Sequence, residues 1–505
     1  MNDTPYDVWS LVTSFLPRND VENLCGVNKQ LRELGLDARF GEVKFDKHDS
    51  GMKRLCEMLS RDEVATHVKK LTIEPWLVQP RTKTYVSRSE NLWNRVNTFF
   101  NSGYMQQEAE KRVQKRINKD IMRVTSAVQR LNRVDEYQIS YNERSTKHHR
   151  QLFEAFLSPT LEAFGSTLAK LTIKVPYNLL QQLSYVRLPQ LREFDIYLCT
   201  GVASMDKVKY ALDGFFVFVH NLQSLEHLGI SATSCSRNLD LSYFSARWGT
   251  FPHLKSFSLC IPFNGGLLSS PEDFYEHLIK PHAGTLEKLK LSTSCGGLAP
   301  QGSLDPACHY WIQRILRSSF KTPFPRLREV ELALRPLKAE LTDLHTFLQL
   351  HSASLQNLCL TDRALNIQEL DQIFESLERL PGHRNDVLET LGVKMEVLDA
   401  RTLVLIAHRL PQLKALNLAF TDLMEDAKVP EQARSRPQLR LARYQDSFAK
   451  MLGPYSIPVF FDWQLRYLNL IESPSTTPWI NGLAHIFRDY FPPTVQVGQL
   501  PALVI

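Results

Sequence analysis

From residue 68 to residue 470 the chain repeats one short arrangement of positions: apolar, two of any kind, apolar, one more, apolar. It appears as VKKLTI (Val68, Leu71, Ile73), VDEYQI (Val134, Tyr137, Ile139), LAKLTI (Leu168, Leu171, Ile173), LREFDI (Leu191, Phe194, Ile196) and LEHLGI (Leu225, Leu228, Ile230). It continues as LKSFSL, LEKLKL, LREVEL, LQNLCL, LETLGV, LKALNL and LRYLNL, centred on Phe257, Leu289, Val330, Leu358, Leu391, Leu416 and Leu468. The alternation at the end of each phrase predicts a short strand with one buried face. The twelve centres lie 23 to 41 residues apart, except for steps of 66 and 52. Helix-like runs and a Pro-x-Leu lead-in precede several phrases, at 188, 251, 324 and 410, so each period holds a helix, a turn and a strand. No such unit can bury its apolar side alone, and stacking is the solution open to it. The pattern therefore predicts an α/β fold over 46–505: a curved solenoid with parallel strands inside and helices outside. The two long steps leave room for insertions near 81–130 and 422–463.

The first 45 residues follow a different rule. Val8, Leu11, Val12, Phe15 and Leu16 recur at three and four residues, a helical stripe that runs to Pro17. Thr4 is the expected N-cap, with Pro5 at the first helical position and Asp7 reaching back. Asn19 or Asp20 is the expected cap of a second helix carrying Val21, Leu24 and Val27, and Leu31, Leu34 and Leu36 continue in a third. Three short helices bear more apolar face than they can bury among themselves, which points to a partner.

Pro5, Asp7, Val8, Val12, Phe15, Leu16, Asp20, Val21, Leu24, Val27, Asn28 and Lys29, followed by Leu31, Arg32 and Leu34, fall in the order and spacing of an F-box, and this stretch resembles that family. Thr4 stands where the family usually has Leu. The phrases behind it are similar to the irregular leucine-rich repeats of fungal F-box proteins. The family's usual Asn or Cys after the third apolar position is mostly missing here.

Composition narrows the remaining classes. Apolar content of 43% and charged content of 23% are those of a globular chain. The longest apolar runs, such as Phe215 to Val219 and Leu403 to Ala407, fall far short of the roughly 18 residues that span a bilayer. MNDTPYD has neither a basic nor an apolar leader segment. Eight cysteines are scattered without a CxxC pair or zinc spacing. Reduced thiols and a cytoplasmic or nuclear location are the corresponding expectation.

Residues 81–150 hold fifteen Lys or Arg against seven Asp or Glu, a local excess of eight within a chain of net charge +6. The stretch from Glu108 to Val134 reads as a long basic helix with Ile121, Val124, Val128 and Leu131 on its apolar side. Nucleic acid is one reading of that charge. No aromatic platform or base-reading motif accompanies it, so a solvated outer helix face is preferred. No GxSxG, P-loop, GxGxxG, HExxH or EF-hand loop occurs, and neither His148-His149 nor Cys308-His309 has further ligands at useful spacing. The expectation is a protein that is not an enzyme, with no cofactor and no metal.

What the repeats offer is a surface. The residues between the apolar positions point outward, among them Glu193, Asp195, Tyr197, His227, Lys288, Lys290 and Glu331, the candidate substrate-binding set. Small residues from Gly229 to Cys260 form a floor, with acids before it and lysines after it. The F-box resemblance implies a substrate-recognition subunit of an SCF-type cullin-RING ubiquitin ligase. In such a protein the first 45 residues bind the adaptor, and through it a cullin, while the repeats hold a protein substrate. On that resemblance Pro5, Val8, Trp9, Val12, Phe15, Leu16, Leu24 and Val27 form the adaptor face or the core behind it. The alternative is a leucine-rich scaffold or inhibitor working outside a ligase, its helical start only a cap.

Overall fold

All twelve phrases are strands. The computed structural model describes residues 5–46, 50–74, 104–140, 154–200, 203–232, 241–262, 270–293, 310–337, 340–378, 385–423, 448–452, 459–471 and 477–500. The chain forms two units, Met1–Cys199 with Lys207–Leu225, and Thr200–Asp206 with Glu226–Ile505. Both are α/β, with parallel strands in chain order and helices between them, the open sheet of a repeat solenoid.

In the first unit the strands are β1 (Glu42–Phe45), β2 (Lys70–Ile73), β3 (Glu136–Ser140), β4 (Lys170–Pro176) and β5 (Glu193–Cys199). Their central residues Val43, Leu71, Tyr137, Leu171 and Phe194 lie in one register. The second unit holds β6 (His227–Ala232), β7 (Ser256–Ile261), β8 (Lys288–Thr293), β9 (Glu329–Ala333), β10 (Asn357–Leu365), β11 (Thr390–Leu398), β12 (Ala415–Leu423), β13 (Tyr467–Ile471) and β14 (Gln496–Leu500). There the row runs Leu228, Phe257, Leu289, Val330, Leu358, Leu391, Leu416, Leu468, Val497. The twelve phrase centres and Val43 are at most 3% exposed. Stacking has buried the face that no single unit could.

Two devices tie neighbouring repeats together within each unit. The carbonyl just before a strand accepts from two successive N–H groups of the following repeat: Glu226 from Lys255 and Ser256, Lys255 from Glu287 and Lys288, Asp135 from Ala169 and Lys170. Hydroxyls add a second tie, Thr167 Oγ1 donating to the Val134 carbonyl at 2.9 Å and Thr285 Oγ1 to that of Leu254 at 2.6 Å. In the core, Tyr137 meets the same demand by donating to the Phe156 carbonyl at 2.7 Å, and burial pushes its pKa up.

The basic helix spans Tyr104–Val128, and Ile117, Val124, Ala127 and Val128 are buried on one side of it. Arg112 pairs with Glu108 and Arg123 with Asp120, so part of its charge is answered within the helix. Most of the expected 422–463 insertion lies outside the described residues, as do Thr4 and the ends of the chain.

Candidate functional site

The N-terminal helices are α1 (Tyr6–Ser14), α2 (Arg18–Asn23) and α3 (Lys29–Phe40). Their starts differ from the sequence expectation. Pro5 is itself the N-cap of α1, and no side chain among the described residues caps that helix. Pro17 plays the same part for α2, leaving Asn19 and Asp20 inside the helix. Proline's fixed φ sets the chain for helix entry and removes one unsatisfied N–H, so a capping oxygen is dispensable. Only α3 has a side-chain cap, Asn28 accepting from the Leu31 N–H at 2.7 Å.

Val21, Leu31 and Leu34 are buried where α2 meets α3. Gly35 gives the close approach its room, because a Cβ there would run into Cys25 Sγ and press on the Val21 carbonyl. The group is fastened to the first repeat through His67, whose Nδ1 faces Asp37 at 2.6 Å and whose Nε2 faces Glu33 at 3.3 Å. Arg32 adds a bridge to Glu63 at 2.8 Å.

This packing sorts the expected adaptor residues. Trp9 and Leu24 are half-buried and support the helices, while Pro5, Val8, Val12, Phe15, Leu16 and Val27 are exposed. Phe15 is 81% exposed. Tyr6 and Leu11 are exposed beside them and were absent from the expected set, although Leu11 belongs to the same stripe. Of the eighteen exposed large apolar side chains among the described residues, seven fall between Tyr6 and Val27. So dense an apolar surface on so short a stretch is more than the single scattered side chains of an ordinary protein surface.

The expected substrate residues divide between the units. In the first, Glu193 and Asp195 are half-buried and Tyr197 is exposed. Glu193 bonds Lys170 at 3.0 Å and Lys70 reaches both Glu42 and Glu136, so the row Glu42, Lys70, Glu136, Lys170, Glu193 alternates in sign across five strands. In the second unit His227, Lys288, Lys290 and Glu331 are brought together, lining a cavity of about 260 Å³ with Ser256, Ser258 and Glu329.

His227 Nδ1 and Ser256 Oγ share a hydrogen bond of 2.8 Å. Lys288 pairs with Glu329 at 2.8 Å and Lys290 with Glu331 at 2.7 Å. Burial pulls the Lys290 pKa down, but the Glu331 carboxylate raises it by more, and the net shift is upward. The two lysines are therefore not the free basic edge that the sequence suggests. Beside them the Cys359 thiol is pushed up to about 12 by burial, so it is not a thiolate at neutral pH.

No family model matches this chain, and no curated protein matches it. Among solved structures, a chain of the yeast Rad7 and Elc1 complex covers 85% of this chain and 92% of its own length, at 12% identity and a TM-score of 0.42. A likeness of that size carries no argument about function.

Proposed function

We propose that this chain is the substrate-recognition subunit of an SCF-type cullin-RING ubiquitin ligase. The N-terminal helices dock on the adaptor, and through it on a cullin, while the strand faces hold a protein substrate. The observation that carries this reading is the uncovered apolar stripe of α1, continued by Phe15 and Leu16. Val8, Leu11, Val12 and Phe15 sit at the spacing of a helix that lays one face into a groove. Val8, Val12, Phe15 and Leu16 are also among the positions that carry the F-box resemblance. In this role the chain contributes proximity: it raises the local concentration of a substrate beside a conjugating enzyme and needs no reacting group of its own.

The test is co-purification of the intact chain with recombinant SCF adaptor, alongside Leu11→Asp and Phe15→Asp variants. The intact chain is expected to retain the adaptor and both variants to lose it, with melting temperature and circular dichroism unchanged. Point variants are the right perturbation because deleting residues 1–45 also removes β1, whose Val43 and Phe45 are buried. An intact chain that fails to hold the adaptor overturns the reading in favour of a scaffold outside any ligase.

A further inference from the structure

Of the seven lysines on the described strands, five are ion-paired. Lys44, Lys70 and Lys170 in the first unit, and Lys288 and Lys290 in the second, each have a carboxylate within 3.4 Å. Among the described residues no carboxylate pairs with Lys174 of β4 or Lys394 of β11, and Lys394 is set apart by what surrounds it. It lies on the open face, since Leu391, Val393 and Met395 point into the core and Thr390, Gly392 and Lys394 alternate with them. It is half-buried, and among the described residues nothing hydrogen-bonds or pairs with its ammonium.

The surroundings of Lys394 are irregular. β10 shifts register between Leu360 and Leu365, so the loop of that bulge stands where the strand partner of Lys394 would be. Asp362, in the bulge, has φ 75° and is 0% exposed. A left-handed, fully buried aspartate is held at a cost in backbone strain and desolvation, and such positions gather at functional sites. Its two oxygens are already engaged, Oδ2 by Arg335 Nε at 2.7 Å and Oδ1 by Thr293 Oγ1 at 3.3 Å. Arg363, the next residue, pairs with Glu369 at 2.9 Å.

Asp362 thus attracts Lys394 through space without bonding it, and burial, the larger influence, pulls the Lys394 pKa down. On the other side the register partner in β12 is Ala419. Gly392, two residues earlier on the same face, has no room for a Cβ, which would lie 2.8 Å from Cys359 Sγ. At these two positions the side chains flanking Lys394 are therefore short.

We propose that Lys394 is the anchoring cation of a site for a single carboxylate, presented by a protein partner docked on the strand face of the second unit. The proposal deepens the receptor reading by naming what a substrate would present, and it rests on that reading only for the strand face, not for the adaptor contact. The half-buried ammonium has lost part of its hydration without gaining a hydrogen bond from the described residues, and an incoming oxygen anion supplies one. The ligand is a monoanion because Asp362 is already neutralised by Arg335: one negative charge then balances Lys394, whereas a phosphate dianion would leave a charge uncompensated beside the Asp362 carboxylate.

The test uses the full chain with its lysines ¹³C-dimethylated, the Lys394 resonance being identified by its loss in Lys394→Arg. The probes are acetyl-Ala-Glu-Ala-amide for a side-chain carboxylate, acetyl-Ala-Ala-Ala for a terminal one, and acetyl-Ala-Ala-Ala-amide as the uncharged control. Millimolar carboxylate peptide should raise the Lys394 pKa by about one unit, and other strand-face lysines by much less. Response to the first probe alone marks a side-chain acid as the ligand, and response to the second alone marks a chain terminus. No response to either, an equal response to the amide, or a stronger response to a phosphoserine peptide overturns the proposal. Adaptor binding is measured on the same preparation. Adaptor binding without a peptide response removes only this site, and a peptide response without adaptor binding leaves the site standing while removing the ligase.

Discussion

Phe15 gives the sharpest quantitative test of the docking face. A phenylalanine side chain offers about 200 Å² to burial, so at 81% exposure about 160 Å² still faces solvent and only about 40 Å² is covered. At about 25 cal/mol/Å², covering the rest in a groove is worth up to about 4 kcal/mol. Association also restrains side chains and desolvates polar neighbours, so the expected loss for Phe15→Ala is about 2–4 kcal/mol, or roughly 30- to 1,000-fold in Kd. The same arithmetic limits its effect on folding to about 1 kcal/mol.

Isothermal titration of the adaptor into each protein, paired with a thermal melt, separates the two effects. Leu34→Ala is the contrasting variant. Leu34 is buried between the helices, and its truncation should cost about 2–4 kcal/mol of stability in that module. If Phe15→Ala binds adaptor within about threefold of the parent, Phe15 is not in the interface and the area argument is refuted. If Phe15→Ala lowers stability as much as Leu34→Ala, the residue packs inside the helical group and the exposed stripe has been misread.

Asp362→Ala should destabilise the second unit by about 3–5 kcal/mol in a chemical denaturation curve, because it leaves the largely buried Arg335 guanidinium without its carboxylate. Gly392→Ala should cost about 1–2 kcal/mol by pressing on Cys359 Sγ, and the double variant Gly392→Ala with Cys359→Ala should recover most of that loss in a double-mutant cycle. His351, 2% exposed between Phe324 and Phe347, has its pKa pulled down to about 4 by burial. The unfolded chain, titrating near 6.5, takes a proton that the folded state refuses, so this contribution is whole above about pH 6.5 and fades toward pH 4. Up to about 3 kcal/mol is at stake, with buried His282 shifted in the same direction, and His351→Leu should flatten the acid side of a melting-temperature profile.

The repeats were legible because a buried strand face writes itself into the chain every second residue, and twelve such faces at a loose period cannot be mistaken for twelve helices. The two strands that sequence reasoning missed are the terminal ones, where the signal is thinnest. β1 offers only Val43 and Phe45 directly behind a helix, and β14 has Gly498 beside Val497, so it reads as a tail. The helix starts were misassigned for a related reason: Asn19 and Asp20 are good capping residues, and nothing in the local sequence shows that Pro17 has already begun the turn. On the strand faces the identities of the outward residues were readable, but their partners were not. Lys288 and Glu329 are 41 residues apart in sequence, and only the register of β8 on β9 sets them side by side.

That register changes what the strand faces can discriminate. Exposed pairs such as Lys170–Glu193 or Lys288–Glu329 each contribute at most about 1 kcal/mol, too little to explain the fold. Their larger effect is on recognition. Opposite charges directly across neighbouring strands penalise a slipped register and leave each patch locally neutral. A partner of either net charge gains nothing from such a patch unless it breaks a pair, and the broken pair must be repaid elsewhere in the interface. Long-range attraction is correspondingly small, so binding to these faces should depend only weakly on salt. Selectivity then falls on positions where pairing is incomplete. In the second unit the clearest such position is Lys394, where the β10 bulge has turned the neighbouring carboxylate toward Arg335 and left the ammonium for an incoming group.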